Sequence, residues 1–361
     1  MKRLKNKQTS KILMTGNEAI AEAAIQAGCR FYSGYPITPQ NEIPAYMSRR
    51  MPEAGGVFIQ AESELAAINM VFGASAAGAR AMTTSSSPGM SLKQEGISYM
   101  AGCRLPAVIV NIMRGGPGLG NISPSQSDYF QATKGGGHGD YHSIVLAPST
   151  VQESVDLTRH AFDLADTYRM PVIILGDGML GQMMEPITKF KTKATRVKAK
   201  KPWILTGAQG RKPNIIRSLL LKEGALENLN RTLQKTYRTI ISKEQQYEIS
   251  HLENSTVAVV AYGTVARIAK QAMIEARSKG SKVGLIRPIS LWPFPDNAFS
   301  QLLAKNSKLK AILVVEMSTG QMVEDVRLAV NGRCPVHFYG RTGGGIPTYE
   351  EIVKHIKKLA K

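Results

Sequence analysis

Four short segments combine residue types that chemistry could use. Gly34-Tyr-Pro-Ile-Thr-Pro39 sets a hydroxyl, Thr38, just ahead of a proline. A residue in that position is pushed to extended backbone, which holds the hydroxyl at a fixed place; a plain proline-rich turn accounts for these residues equally well. Gln60-Ala-Glu-Ser-Glu64 runs into Leu65-Ala-Ala-Ile68 and so puts Glu64 in the first turn of a helix. Acidic residues there ordinarily just complement the helix dipole. So apolar a flank nevertheless predicts a buried carboxyl, which must find a partner. Glu62 is its neighbouring rival. Thr84-Ser-Ser-Ser-Pro-Gly89 opens another helix, with hydroxyls and backbone N–H groups that suit an anion or a heteroaromatic edge, or a simple cap. Asn111-Ile-Met-Arg114-Gly-Gly-Pro-Gly-Leu-Gly120 ends an apolar run in a guanidinium and a glycine-rich loop, a pairing suited to capture of a carboxylate.

Other chemistries are excluded by what is missing. Cys29, Cys103 and Cys334 lie far apart, as free thiols do in a reducing, cytoplasmic compartment. An iron–sulfur cluster takes four thiolates, so any redox cluster must belong to another chain. His138 and His142 are four apart but flank Gly-Asp-Tyr, a loop rather than a metal-binding helix face, and no metal ligand is assigned. No phosphate-loop lysine signature occurs, nor a glycine fingerprint followed by an acidic residue, which argues against a stand-alone nicotinamide dehydrogenase. The basic amino terminus leads into Gln8-Thr9-Ser10 without an apolar run, so neither a secretory signal nor a membrane span is expected. The net charge of +19 is fed by the run from Lys189 to Lys201. That run reads as a solvated linker or as attraction to an acidic partner protein. A nucleic-acid-binding protein is the third reading, but no interleaved aromatics or recognition motif support it.

The elements that must position these residues follow from periodicity. Apolar runs at 31–33, 57–60, 81–84, 107–113, 144–147 and 172–175 alternate with helical patterns at 17–27, 62–79, 90–101 and 151–168. Such alternation predicts a parallel sheet covered on both faces. Residues 189–250 form a basic linker and a mostly polar helical stretch over 215–248, whose thin leucine stripe suits lying across another surface. Alternation resumes with strands at 257–261, 282–286, 311–315 and 336–339 and helices at 265–278, 321–330 and 349–359. The domains expected are therefore 1–188, a linker segment 189–250, and a smaller α/β domain 251–361.

In order along the chain, Tyr35-Pro-Ile-Thr-Pro39, the helix opening at Glu64, Thr84–Gly89, Met113-Arg-Gly-Gly-Pro117 and His138-Gly-Asp140 before Ala147-Pro-Ser149 resemble the pyrimidine-binding domain of 2-oxoacid:ferredoxin oxidoreductase alpha subunits. Ala261-Tyr-Gly-Thr264, the stretch from Arg287 to Pro295, Glu316-Met-Ser-Thr-Gly-Gln321 and the stretch from Arg341 to Pro347 resemble the family's transketolase-C-like module. Singly each motif is modest; the ordered set is specific. A chain of this length with Lys201-Pro-Trp-Ile-Leu-Thr-Gly207 looks most like the branched-chain (3-methyl-2-oxobutanoate) subunits, with the 2-oxoglutarate subunits as runner-up.

The resemblance implies an α/β fold, with a thiamine-diphosphate-binding, pyrimidine-type parallel-sheet domain and a smaller transketolase-C-like domain. It implies oxidative decarboxylation of a 2-oxoacid to acyl-coenzyme A and CO₂, with electrons passed to ferredoxin. Glu64 would be the catalytic carboxylate, paired with the aminopyrimidine N1′ of thiamine diphosphate. Ser86, Pro88 and Gly89 would line the cofactor, and Thr38 and Arg114 would contact the keto-acid head. Gly176-Asp-Gly178 copies the opening of the metal–diphosphate motif of thiamine enzymes, but no asparagine follows before Asn214, so Asp177 reads as a turn residue. The diphosphate, its Mg²⁺ and the iron–sulfur clusters would then sit on partners: a diphosphate-binding beta subunit, a gamma subunit and a ferredoxin-like delta subunit. No membrane and no nucleic acid partner is expected.

Overall fold

A computed structural model describes residues 10–188 and 201–361. All of the basic run except Lys201 lies outside the described residues. The first part of the chain runs β1 (Lys11–Thr15), α1 (Gly16–Gln26), β2 (Phe31–Gly34), α2 (Glu42–Glu53), β3 (Val57–Gln60), α3 (Glu64–Ala76), β4 (Ala81–Ser85) and α4 (Ser87–Gly102). It continues through β5 (Ala107–Met113), α5 (Tyr129–Thr133), β6 (Ile144–Leu146), α6 (Val151–Tyr168), β7 (Pro171–Asp177), α7 (Gly178–Gln182) and β8 (Met184–Thr188). After the undescribed stretch come α8 (Ala225–Lys243), β9 (Tyr247–Ser250), β10 (Val257–Val260), α9 (Gly263–Ser278), β11 (Val283–Pro288) and β12 (Ser290–Trp292). The last elements are α10 (Asp296–Lys305), β13 (Ala311–Glu316), α11 (Met322–Val330), β14 (Val336–Gly340) and α12 (Tyr349–Ala360).

Two sheets carry the fold. The larger has the order β12-β6-β7-β5-β4-β2-β3 and is parallel except where β12 meets β6. Its central strands β5 and β7 are buried at every position, because helices cover both faces; a continuous apolar run is what such a strand requires. The smaller sheet, β14-β13-β10-β11-β9, is parallel except at β9. No described helix is long and apolar enough to cross a membrane.

The sheets interlock across the segments read from sequence. Tyr247–Ser250 falls in the stretch taken as linker and helix, yet it pairs with β11. Ser290–Trp292 falls in the second α/β region, yet it pairs with β6 of the larger sheet. Both strands are too short for periodicity to register, and their partners are distant in sequence. The antiparallel ribbon of β1 with β8 escapes notice for the same reason. Helix α2 holds Pro44 and Pro52; Pro44 lies in the first turn, where a missing N–H costs nothing. The helical stretch after residue 215 is shorter than its pattern, α8 beginning only at Ala225. It does lie across another surface, burying Leu233, Tyr237 and Ile240.

Between the two sheets the contact is a shared core and a polar clasp. One apolar cluster includes Tyr129 and Tyr141 from the first part with Tyr262, Phe299 and Met322 from the second. Gln126 donates from its backbone N to the Met317 carbonyl at 2.8 Å and from Nε2 to the Tyr262 carbonyl at 3.0 Å, while its Oε1 accepts from Met317 N at 3.0 Å. Arg287 is buried and forks onto Glu153 at 2.7 and 3.0 Å, with Nε on Glu248 at 3.0 Å. The Glu316 carboxylate, fully buried, accepts from Ser318 Oγ and from the backbone N–H groups of Gln321, Met322 and Val323 at 2.9–3.1 Å. It thereby caps α11 from the preceding strand. Glu316→Ala strips three buried donors of their acceptor and should destabilise the chain by about 3 kcal/mol or more, read as a fall in the urea midpoint.

Candidate functional site

Loops after β2, β3, β4 and β5 leave the same edge of the larger sheet, because all four strands run parallel. The carboxyl end of such a sheet is where ligands settle in open α/β folds. All four segments singled out from sequence are linked by direct bonds, that of Glu64 through Ala61 N to the Gly34 carbonyl at 3.0 Å.

Glu64 opens α3, with Ser63 as N-cap accepting from Ala66 N at 3.1 Å. The carboxylate-bearing side chain is buried, 6% exposed, whereas Glu62 is exposed. Among the described residues no hydrogen bond reaches the Glu64 carboxylate. Gly89, at the start of α4, lies against it. A Cβ at Gly89 would stand 2.3 Å from Glu64 Oε1 and 2.1 Å from Ser85 Oγ, so only glycine leaves room beside the carboxylate. Ser86 caps α4 by position but not by bond, and its buried Oγ has no partner. Pro88 occupies the first turn of α4 and is half-buried.

Ser87 joins this loop to the next. Its hydroxyl meets Asp128 Oδ2 at 2.6 Å and accepts from Arg114 N at 3.1 Å. Asp128 also accepts from Asn111 Nδ2 at 2.9 Å; burial raises its pKa, and the two hydrogen bonds oppose the rise. Arg114 is 7% exposed. Its guanidinium donates to the Thr38 carbonyl at 2.9 Å and to the Leu119 carbonyl at 3.1 Å, and its Nε is buried without a partner. Arg114 therefore staples the Thr38 loop to its own glycine-rich loop and keeps its buried Nε–H unspent. The Thr38 hydroxyl, half-buried, accepts only a long bond from Asn41 at 3.3 Å.

Several neighbours were not foreseen from sequence. Lys93 is fully buried on α4, with Nζ 3.3 Å from the Glu64 carbonyl and 2.9 Å from Thr83 Oγ1. The signal for it existed: a lysine among Met90, Ile97 and Met100 at helical spacing on a core face. Asp128 gave no such signal, standing in a serine-rich loop. Gln40, Thr84 and Tyr32 form a buried chain, with Thr84 Oγ1 2.5 Å from Gln40 Oε1 and 2.7 Å from the Tyr32 hydroxyl.

Asp177 is more than a turn residue. It caps α7 through Met179 N and Leu180 N and accepts from Thr264 Oγ1 at 2.5 Å across the two sheets. His142 stacks on Trp292 at 4.6 Å and meets Tyr237 edge-on at 5.4 Å, a packing role. Among the described residues no group of three or more His, Cys, Asp or Glu could hold a metal. An open groove of about 1140 Å³ lies away from these loops, between residues 134–142 and α8.

Comparison with known proteins gives a consistent result. A family described as pyruvate flavodoxin/ferredoxin oxidoreductase, thiamine-diphosphate-binding, matches residues 22–255. A second, described as pyruvate:ferredoxin oxidoreductase core domain II, matches residues 255–352. The chain is 49% identical over 348 residues to a ketoisovalerate oxidoreductase subunit VorB of Methanothermobacter marburgensis, covering 96% of this chain and 97% of that one. It is 36% identical to a 2-oxoglutarate synthase subunit KorA of Methanothermobacter thermautotrophicus, covering 97% and 99%. Among solved structures, a 2-oxoglutarate:ferredoxin oxidoreductase from Magnetococcus marinus, with 2-oxoglutarate, coenzyme A and succinyl-CoA bound, superposes with a TM-score of 0.87 at 29% identity. That match covers 99% of this chain and 66% of the other.

The crowding at Gly89 makes a direct test. Gly89→Ala should weaken binding of thiamine diphosphate to the assembled protein by tenfold or more, with overpacking costing about 1–3 kcal/mol of stability. Gly73→Ala, in the same helix as Glu64 but with nothing within 4 Å of the added carbon, should leave affinity unchanged in the same fluorescence titration.

Proposed function

The chain belongs to the pyruvate flavodoxin/ferredoxin oxidoreductase family, and we propose that within it this subunit holds the aminopyrimidine half of thiamine diphosphate and the head of a branched-chain 2-oxoacid. The observation that carries this reading is Glu64: a buried carboxylate at a helix start, free of bonds from the described residues, with a glycine keeping space open beside it. Such a group suits one ring nitrogen of a heteroaromatic cofactor, to which it holds a shared proton. Pro88 and Gly89 line the ring, and the unpartnered Ser86 hydroxyl meets its polar edge.

When bound, the cofactor supplies the carbon nucleophile and the electron sink that decarboxylation of a 2-oxoacid needs. This chain's residues position and protonate. Arg114 Nε and the Thr38 hydroxyl, carried on loops that the guanidinium itself ties together, face the keto-acid head. The diphosphate, Mg²⁺ and iron–sulfur clusters belong to the beta, gamma and ferredoxin-like delta subunits, and electrons leave to ferredoxin as coenzyme A takes the acyl group. The proposed 2-oxoacid is 3-methyl-2-oxobutanoate, supported by 49% identity to a ketoisovalerate oxidoreductase subunit against 36% to 2-oxoglutarate synthase subunits. A substrate panel on the reconstituted complex tests it: higher kcat/KM with 2-oxoglutarate would reverse the assignment.

Two further outcomes are expected in the reconstituted complex. Glu64→Gln should cut turnover by roughly two to four orders of magnitude while assembly survives, and Glu62→Gln should leave turnover near wild type; equal losses would mean the carboxylate is misassigned. Arg114→Lys keeps charge but loses the planar fork, so it should raise KM for the 2-oxoacid by about tenfold, and Arg114→Ala by more. KM for coenzyme A should not move. An Arg114→Ala variant with intact 2-oxoacid kinetics and weakened cofactor binding would reassign Arg114 to the cofactor.

A further inference from the structure

Lys93 is a buried cation that the reading above leaves without a task. It stands one turn beyond Gly89 on α4, with no exposed surface, and its two hydrogen-bond partners are the Glu64 carbonyl and Thr83 Oγ1. An ammonium in such a place is costly unless a nearby charge answers it. Among the described residues, the charge that bears on it is the Glu64 carboxylate. β4 brings only the hydroxyls of Thr83 and Ser85, Glu62 and Glu95 are exposed, and Asp128 is taken up by Ser87 and Asn111.

The two partners suit both protonation states of the amine. As an ammonium, Nζ donates to the Glu64 carbonyl and to Thr83 Oγ1. As a neutral amine it still donates to the carbonyl, and its lone pair accepts from the Thr83 hydroxyl, which can act either way. Burial pushes its pKa down to about 7, and the Glu64 charge opposes the fall. Neutralising Glu64 therefore removes what keeps Lys93 protonated.

We propose that Lys93 is the internal source of the proton that Glu64 shares with the aminopyrimidine ring. The inference rests on Glu64 being the carboxylate that meets that ring. Before the ring docks, the pair is Lys93 ammonium and Glu64 carboxylate. With the ring bound, Lys93 would give up one proton, leaving a neutral amine, and the contact between the Glu64 oxygen and the ring nitrogen would hold one more. The site changes partners without taking a proton from water. Lys93 acts through Glu64 and is a positioning residue.

Proton counting tests this without turnover. The reconstituted complex, stripped of cofactor, is titrated calorimetrically with thiamine diphosphate and Mg²⁺ in buffers of different ionisation enthalpy. Near pH 6, Lys93→Met should take up about one proton per site more than wild type; near pH 8.5 the gap should close, because the lysine is already neutral. Protons from the cofactor's own phosphates cancel in the difference. Lys93→Arg keeps the charge but cannot give up a proton, so it should behave like Lys93→Met; rescue by arginine would reduce Lys93 to a structural cation. Equal uptake by wild type and Lys93→Met near pH 6 would overturn the proposal. Near pH 8.5, Glu64→Gln should abolish the uptake of about one proton seen in wild type; if it does not, the reading of Glu64 fails instead. Should both Lys93 variants fail to assemble, wild-type uptake measured against Glu64→Gln must still rise by about one proton between those pH values, and a flat profile refutes the idea.

Discussion

A carboxylate cannot be kept inside a protein unless something answers its charge, and among the described residues five are buried: Glu22, Glu64, Asp177, Glu316 and Asp325. Four are answered by bonds. Glu22 takes Gln26, Tyr46 and Arg50, and Asp325 takes Tyr129 and Lys134. Asp177 and Glu316 take backbone amides at helix starts, together with a hydroxyl. Glu64 differs: among the described residues its oxygens accept nothing, and its counter-charge is held a step back, on Lys93. A ligand that supplies a donor or shares a proton would complete its bonding, the role proposed for Glu64 above.

The same economy shapes the loops around it. Arg114 spends two donors on backbone carbonyls of separate loops, which fixes the distance between the Thr38 turn and the glycine-rich turn. Ser87 belongs to the loop that opens α4 but bonds Asp128 and the Arg114 backbone. Displacing one loop would therefore strain all three. A site assembled this way is preorganised by backbone contacts, leaving side-chain atoms such as Arg114 Nε and Ser86 Oγ unspent.

Much of this was legible in the sequence, for a physical reason. Strands such as β5 and β7 are buried on both faces, so they had to be written as mainly apolar runs. The apolar flank of Glu64 announced burial, and burial separates it from exposed Glu62. What stayed hidden depends on long-range pairing. β12 has three residues, and its partner β6 lies more than a hundred residues earlier. Nothing local to Arg114 shows that the Leu119 and Thr38 carbonyls take two of its donors. Lys93 was visible as a charge on an apolar helix face; its meaning came only once α3 and α4 were packed together.

The second α/β region takes no direct part in lining the carboxylate, yet the site depends on it. The loop from Asn121 to Asp128 joins the Arg114 turn to the aspartate that holds Ser87, and the smaller sheet grips it along its length. Asn121 donates to the Gly343 carbonyl, Gln126 is clasped by Met317 and Tyr262, and the Ser127 carbonyl accepts from Gln321. Gln321 is held in turn, because its backbone N–H is one of the donors that Glu316 caps. A path of part-buried hydrogen bonds and the chain between them therefore runs from the α11 cap through the loop to Asp128, Ser87 and the start of α4, where Gly89 faces Glu64. The transketolase-C-like half is thus a support for the loops around Glu64 as well as a neighbour of them. Loosening the Glu316 cap would relax the geometry around a carboxylate that lies in the other sheet.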